Sequence, residues 1–309
     1  MNIDNLNKAA PDRPLVSVAV VTYNQKEFLK ECIESILIQD YPNIEIVVAD
    51  DGSTDGTDQL LRAYQQEAKR PFVLRMAEKN QGVTRNQNAA VFACSGKYIS
   101  WMAGDDLMLP GKISKQVEFL ENNPDYSICY HDLDIFDSRT NQTIKKFSQT
   151  DKPRVGDLAT LVKYGSFNGA VSNMVRRSSS PKNGFDPRIP VASDWLYFVE
   201  CLWSGGKIGY VNEVLARHRR HDNNVTSSSI KRPSLTGIQD HLFSCEVIAS
   251  RAPWMVKEIN GRKANLFLSL RWMDNGKFYG SYLRASLIYK FRLKVFVGLL
   301  AYSLFGMRR

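Results

Sequence analysis

The segment Val47-Val48-Ala49-Asp50-Asp51-Gly52-Ser53-Thr54-Asp55-Gly56-Thr57 decides the fold of this chain. An apolar, β-branched run (Ile44 to Ala49) ends in an Asp- and Gly-rich turn, which opens into a helical pattern from Thr57 to Ala68. So continuous an apolar run predicts a strand buried on both faces. The pattern recurs upstream: Leu15 to Thr22 reads as a buried strand, and Lys26 to Gln39 sets Phe28, Leu29, Cys32, Ile33, Ile36 and Leu37 on one helical face. Downstream it continues with a strand at Phe72 to Met76, a helix at Val83 to Cys94 and a strand at Tyr98 to Met102. A helix over Lys112 to Asn122 and a strand over Tyr126 to Tyr130 follow.

Strands alternating with helices across short connections predict an α/β fold, a Rossmann-like, mostly parallel sheet with helices on both faces. Such sheets bind ligands at the carboxyl ends of their strands. The stretch from about Asp132 to Thr226 reads as less regular, with short strands and a helix around Asp194 to Trp203. From Ser234 onward the pattern is helical, a C-terminal helical appendage.

The chain has 309 residues, 43% hydrophobic and 24% charged, which excludes wholesale disorder. Its 41 basic and 32 acidic residues leave a formal charge of +9. After Lys257 the only acids are Glu258 and Asp274, so part of the excess is C-terminal. An anionic membrane surface or a small anionic substrate suits it better than nucleic acid, since neither zinc-finger spacing nor a basic recognition element is found. The five cysteines are odd in number and widely spaced, and read as buried thiols of a reducing compartment. The polar start, Met1 to Pro14, lacks the apolar core of a secretory signal, so the sequons at Asn141 and Asn224 carry little weight. The longest apolar run, Val295 to Gly306, is too short to span a bilayer and is flanked by Arg292, Lys294, Arg308 and Arg309. It suits a helix on a membrane interface, or one packed on the body or a partner subunit.

Three expected strand ends carry polar residues: Thr22-Tyr23-Asn24, Asp50 to Thr57, and Gly104-Asp105-Asp106. A capped, Asp-rich turn accounts for the second alone. It does not account for acids ending another strand. Carboxylates gathered on one sheet edge invite a divalent cation with a diphosphate, and oxygen ligands suit Mg²⁺ or Mn²⁺. Tyr23 offers a face to a flat base.

These residues resemble the family 2 glycosyltransferases of the GT-A fold. The resemblance rests on Val18 to Asn24, Val47 to Thr57, Gly82-Val83-Thr84-Arg85-Asn86-Gln87-Asn88, Tyr98 to Asp106, Ser193-Asp194-Trp195 and Arg219-Arg220-His221, and it covers about residues 15 to 226. It implies a nucleotide site of Val21, Tyr23, Asn24, Asp51, Arg85 and Asp105, with Tyr23 flanking the base and Asp51 hydrogen-bonded to it. It implies a metal held by Asp106, with Asp105 and His221, and Asp194 as catalytic base. Arg219 and Trp195 would contact the diphosphate or the acceptor. Where the family often has a further Asp this chain has Ala103, and Ser193 replaces the commoner acid before Asp194. Read bare, Asp194 would only cap its helix with Ser193, and His221 would belong to a basic surface loop. The segment Asp222 to Ser229 would be a lid over the donor.

The expectation is an inverting, metal-dependent hexosyltransferase using a nucleotide diphosphate sugar, UDP-linked by default. Its acceptor would be a lipid-linked saccharide of polysaccharide or O-antigen assembly. It would work in the cytoplasm or peripherally on the cytoplasmic face of the inner membrane, as a monomer or an oligomer. The expected divisions are an N-terminal extension (1–14), a catalytic domain (15–230, donor half to about 130) and a helical region (231–309). A non-catalytic nucleotide-sugar-binding scaffold is the rival. A nucleotide-cofactor oxidoreductase is disfavoured because no G-x-G-x-x-G follows a strand.

Overall fold

A computed structural model of the chain describes residues 13–165, 169–222, 224 and 235–306. The N-terminal extension up to residue 12, most of the expected lid, the second sequon beyond Asn224, and Arg308 and Arg309 lie outside the described residues.

The first half alternates as expected: β1 (Val16–Thr22), α1 (Lys26–Leu37), β2 (Ile44–Asp50), α2 (Thr57–Glu67), β3 (Phe72–Met76), α3 (Val83–Val91) and β4 (Tyr98–Ala103). A two-residue strand, β5 (Leu107–Met108), and helix α4 (Lys112–Asn122) follow. The neighbours β3-β2-β1-β4 all pair parallel. Chain order reverses between β1 and β4, which opens a crevice at their carboxyl ends.

The second half is more regular than its polar sequence suggests. It holds β6 (Tyr126–Asp137), β7 (Thr143–Lys146), α5 (Leu158–Tyr164), β8 (Met174–Arg176), α6 (Asp194–Cys201) and β9 (Lys207–Arg220). The strand expected to stop at Tyr130 runs on to Asp137 because its polar residues are satisfied within the sheet. Buried Asp132 accepts from the backbone N–H of Leu133 and Ser148 and from the Ser148 hydroxyl, at 2.6–3.0 Å. The 14-residue β9 lies parallel to β6 and shifts register twice between His131 and Leu133. Antiparallel β8 joins β4 to β6, so the sheet is parallel at its donor end and mixed beyond.

Side-chain alternation along β1 feeds two cores. Val16, Val18 and Val20 face α1 and α4; Ala19 faces the side covered by α3 and the later helices. Helices α7 (Leu235–Arg251) and α8 (Val256–Leu270) contribute Ile238, Cys245, Ile248, Ile259 and Leu266 to that second core, beside Trp195 of α6. The C-terminal region is therefore divided by its packing. Its first two helices share the core of the sheet, whereas α9 (Tyr279–Tyr289) and α10 (Leu293–Phe305) pack on each other around Tyr279, Leu283 and Val295. Among the described residues no helix is long and apolar enough to cross a membrane. All five cysteines are buried free thiols.

Candidate active site

Parallel register brings the carboxyl ends of three strands level: Thr22 lies beside Asp50, Asp50 beside Met76, and Val21 beside Ala103. The loops after these ends are cross-bonded. Asn24, at a positive φ of 50°, accepts from the Thr54 N–H and donates its own N–H to Ser53 Oγ, both at 2.8 Å. Asp55 Oδ2 accepts from the Lys26 N–H at 3.0 Å. A side chain on Gly104 would meet Gln25 Oε1 and Thr22 Cβ within 3 Å, so only glycine lets the β4 loop approach β1 this closely.

A cavity of about 200 Å³ opens between the ends of β2 and β3 and the start of α3, lined by Asp50, Asp51, Arg75, Arg85 and Asn86 among others. Asp51 is only 3% exposed. Its carboxylate accepts from the backbone N–H of Gln81 (2.8 Å) and of Gly82 (2.9 Å), which fixes the loop leading into α3. Arg85 is exposed on the cavity wall, which Arg75 also lines; sequence reasoning passed over Arg75 because it reads there only as a strand residue. Two guanidinium groups lining one cavity suit a ligand that carries anionic oxygens. Tyr23, 43% exposed, stands clear of the core at the crevice rim; Val21 is half-buried.

The other polar residues of the α3 segment act as a hub. Asn86 Nδ2 donates to the carbonyls of Thr22 and Ala49, both at 3.1 Å, and so ties α3 to the ends of β1 and β2. Asn88 exchanges two hydrogen bonds with the backbone of Phe185. The Thr84 hydroxyl donates to the Ile189 carbonyl at 2.6 Å and lies 3.0 Å from Ser193 Oγ, and Ser193 also donates to Gln87 Oε1 at 3.1 Å.

Ser193 occupies the N-cap position of α6, but its hydroxyl is spent on α3 and makes no capping bond. Asp194 does not cap the helix either: its carboxylate accepts from the adjacent Trp195 N–H, at 2.8 Å. Burial holds the Asp194 carboxyl above its ordinary range, against the pull of that N–H and of the Arg262 charge. A carboxylate with few local partners and a raised pKa is equipped to take a proton. Trp195, expected at the diphosphate or acceptor, is instead a core residue. It is fully buried, and its Nε1 donates to the Leu161 carbonyl at 3.1 Å.

After β4, each acid is bound by the end of β9 and the chain beyond it. Asp106 accepts from His218 Nδ1 (2.9 Å) and the Arg219 N–H (2.9 Å), and is 2% exposed. Burial opposes a charge on His218, but the charge and hydrogen bond of Asp106 outweigh it and raise the imidazole above its ordinary range. Sequence reasoning missed His218; the signal was its place within the basic run Arg217 to His221. Asp105 Oδ2 accepts from His221 Nε2 and Asn224 Nδ2, each at 2.9 Å. His221 packs on Phe28 with ring centroids 4.6 Å apart. Arg219, expected at the diphosphate, is buried. It donates to the Asp105 carbonyl (2.7 Å) and to Glu31 (2.6 Å), between the rings of Phe28 and Phe136, so it braces the loop.

Part of this donor set fits a divalent cation. Two cis ligands of an octahedral Mg²⁺ or Mn²⁺, each about 2.1 Å from the ion, lie about 3.0 Å apart. Asp105 Oδ2 and His221 Nε2, at 2.9 Å, have that spacing. Asp106, occupied by His218 and Arg219, fits less well. Among the described residues no three His, Cys, Asp or Glu side chains gather as a ligand cluster, so phosphate and water would complete the shell.

The family model described as Glycosyl transferase family 2 matches residues 17–180, more than half of the chain. A putative teichuronic acid biosynthesis glycosyltransferase of Bacillus subtilis, TuaG, is 28% identical over 225 residues, 72% of this chain and 86% of that protein. Among solved structures, S. aureus TarS 1–349 in complex with UDP-GlcNAc superposes with a TM-score of 0.67 at 16% identity, covering 94% of this chain and 87% of the other. The mannosyltransferase PcManGT from Pyrobaculum calidifontis, in complex with GDP-Man and Mn²⁺, gives a TM-score of 0.62 at 21% identity, covering 96% and 82%. The fold is the expected GT-A architecture with C-terminal helices.

Proposed function

This chain belongs to glycosyl transferase family 2, and from that premise we propose that it transfers a hexose, with inversion, from a UDP-sugar to a hydroxyl of a lipid-linked saccharide in surface polysaccharide assembly. One observation carries the reading. The residue before Asp194 is hydrogen-bonded to Thr84 and Gln87, on the same short helix that sets Arg85 on the wall of the cavity. A base and a donor pocket thus share one rigid scaffold, as single displacement requires.

In this reading the cavity takes the nucleotide, with Tyr23 against the base, Asp51 and its loop at the base edge, and Arg85 and Arg75 toward the phosphates. Asp194 takes the proton of the acceptor hydroxyl as that oxygen attacks the anomeric carbon. Asp105 and His221 would hold Mn²⁺ or Mg²⁺, which neutralises charge gathering on the leaving diphosphate. Asp106 keeps β9, and with it His221, at the end of β4. The UDP-GlcNAc bound by TarS and the Mn²⁺ bound by PcManGT support the donor and the metal; the teichuronic acid role given to TuaG supports the polymer.

Uridine diphosphate titrated calorimetrically with Mn²⁺ should bind and should weaken sharply in chelator. Absence of binding under both conditions would remove the uridine donor from the reading. The absent carboxylate at Ala103 favours a second reading, a nucleotide-sugar-binding scaffold without turnover. Measured release of UDP from a donor-sugar panel with acceptor lipids decides against it; binding without release decides for it.

A further inference from the structure

The segment that delivers Asp194 to the site is gripped from two sides. On one side α3 holds Ser193, as described. On the other, Asp240 of α7, buried at 5% exposure, turns one oxygen, Oδ2, to the consecutive N–H groups of Val191 and Ala192, both at 2.9 Å. Two aligned amide dipoles converging on one carboxylate oxygen make a strong, directional anchor. It fixes the backbone two residues ahead of Asp194.

The next helix adds a second clamp. Arg262 of α8 lays its guanidinium over the Trp195 ring, 4.9 Å from the centroid, beside Asp194 in sequence. Nη1 donates to the Tyr164 carbonyl at 3.2 Å, while Nε is buried with no hydrogen-bond partner. The guanidinium is seated by Gly165, at φ +91°, where an added Cβ would lie 2.7 Å from both Nη atoms. The stack on Trp195 and the bond to Tyr164 tie α8 and the end of α5 to the residue that follows Asp194.

We propose that α7 and α8 are part of the catalytic apparatus, with Asp240 and Arg262 as positioning residues for Asp194: Asp240 fixes the backbone just before it, and Arg262 fixes Trp195 just after it. The inference rests on the reading of Asp194 as the base. It makes the C-terminal helices necessary for turnover itself, apart from any membrane contact.

The test is steady-state kinetics of the full chain, with UDP calorimetry on the same proteins. Arg262→Ala, which loses the stack on Trp195 and the bond to Tyr164, should lower kcat with donor KM and UDP affinity unchanged, and Arg262→Lys should recover part of that loss. Asp240→Ala should lower kcat on the order of ten- to a hundredfold, the cost of an ångström-scale misplacement, with donor KM and UDP affinity unchanged. Asp240→Asn, which keeps an acceptor oxygen, should recover most of that loss. Arg262→Ala or Asp240→Ala at wild-type kcat would overturn the inference. Asp194→Asn with normal turnover would instead overturn the underlying reading, whatever the other variants do.

Discussion

His221 Nε2 lies 2.9 Å from Asp105 Oδ2, joining the chain just after the longest strand to the end of β4 across 116 residues. The acid and the imidazole are thus presented together by two elements far apart in sequence. The contact is short enough for both groups to share a metal and close enough to form a plain hydrogen bond without one.

Loss of either member should uncouple nucleotide from metal. In His221→Ala, Mn²⁺ affinity in the presence of UDP is expected to fall at least tenfold to a hundredfold, about the range seen for disturbed metal shells. Chelator should then make little further difference to UDP binding. Isothermal titration with and without Mn²⁺ measures both quantities, and an unchanged Mn²⁺ dependence would remove His221 from the site.

Asp106 should matter first for stability. Its removal leaves half-buried His218 and the buried Arg219 N–H without their acceptor. Asp106→Ala should therefore cost about 2–4 kcal/mol and lower Tm, while Asp105→Asn should be milder in thermal melts and more harmful to metal-dependent binding. The reverse order in calorimetric melts would return the metal to Asp106.

Lys112 provides a pH signature in the fold. It is buried in α4, donating to Ser100 Oγ (2.6 Å) and Gln116 Oε1 (2.9 Å), and burial pulls its pKa down to about 7. The unfolded value is about 10.4. Because the unfolded chain holds the proton more tightly, the linked stability is complete above about pH 10 and is lost as pH falls toward 7. Lys112→Met removes this dependence. The wild type should gain stability relative to the variant as pH rises from 7 to 10 in denaturant titrations; a constant difference would contradict the assignment.

The exposed face of α10 should bind anionic membranes. Leu293 and Leu304 are 68% and 71% exposed, Val297 and Leu300 lie between them, and Lys290 and Lys294 are exposed nearby. Such an apolar face with basic flanks suits an interfacial helix. Replacing Leu300 and Leu304 by Gln should weaken sedimentation with anionic vesicles by about tenfold per leucine, and truncation after Lys290 should abolish it. Undiminished vesicle binding in both proteins would point to α10 as a protein-packing helix instead.

The donor half was legible because its signals are local. A buried parallel strand must be apolar throughout, and its turn must carry Gly and Asp, so β1 to β4 and the acids that end them stand out in the sequence. The same logic hid the second half of β6 and the length of β9. Their polar residues, such as Asp132 and His218, are satisfied by groups 16 and 112 positions away, which no local pattern records. Arg219 and Trp195 resembled site residues by their place in a motif, yet burial assigns one to bracing Asp105 and the other to the core.

By itself the sequence determined the order of elements, the end of the sheet that carries the site, and the acids placed there, because backbone periodicity and turn chemistry act over a few residues. The tertiary structure alone decided which partners bind each of those acids, which arginines line the cavity, and that α7 and α8 brace the segment around Asp194. Those properties depend on desolvation and on partners brought together across more than a hundred residues, and they arise only when the chain has closed on itself.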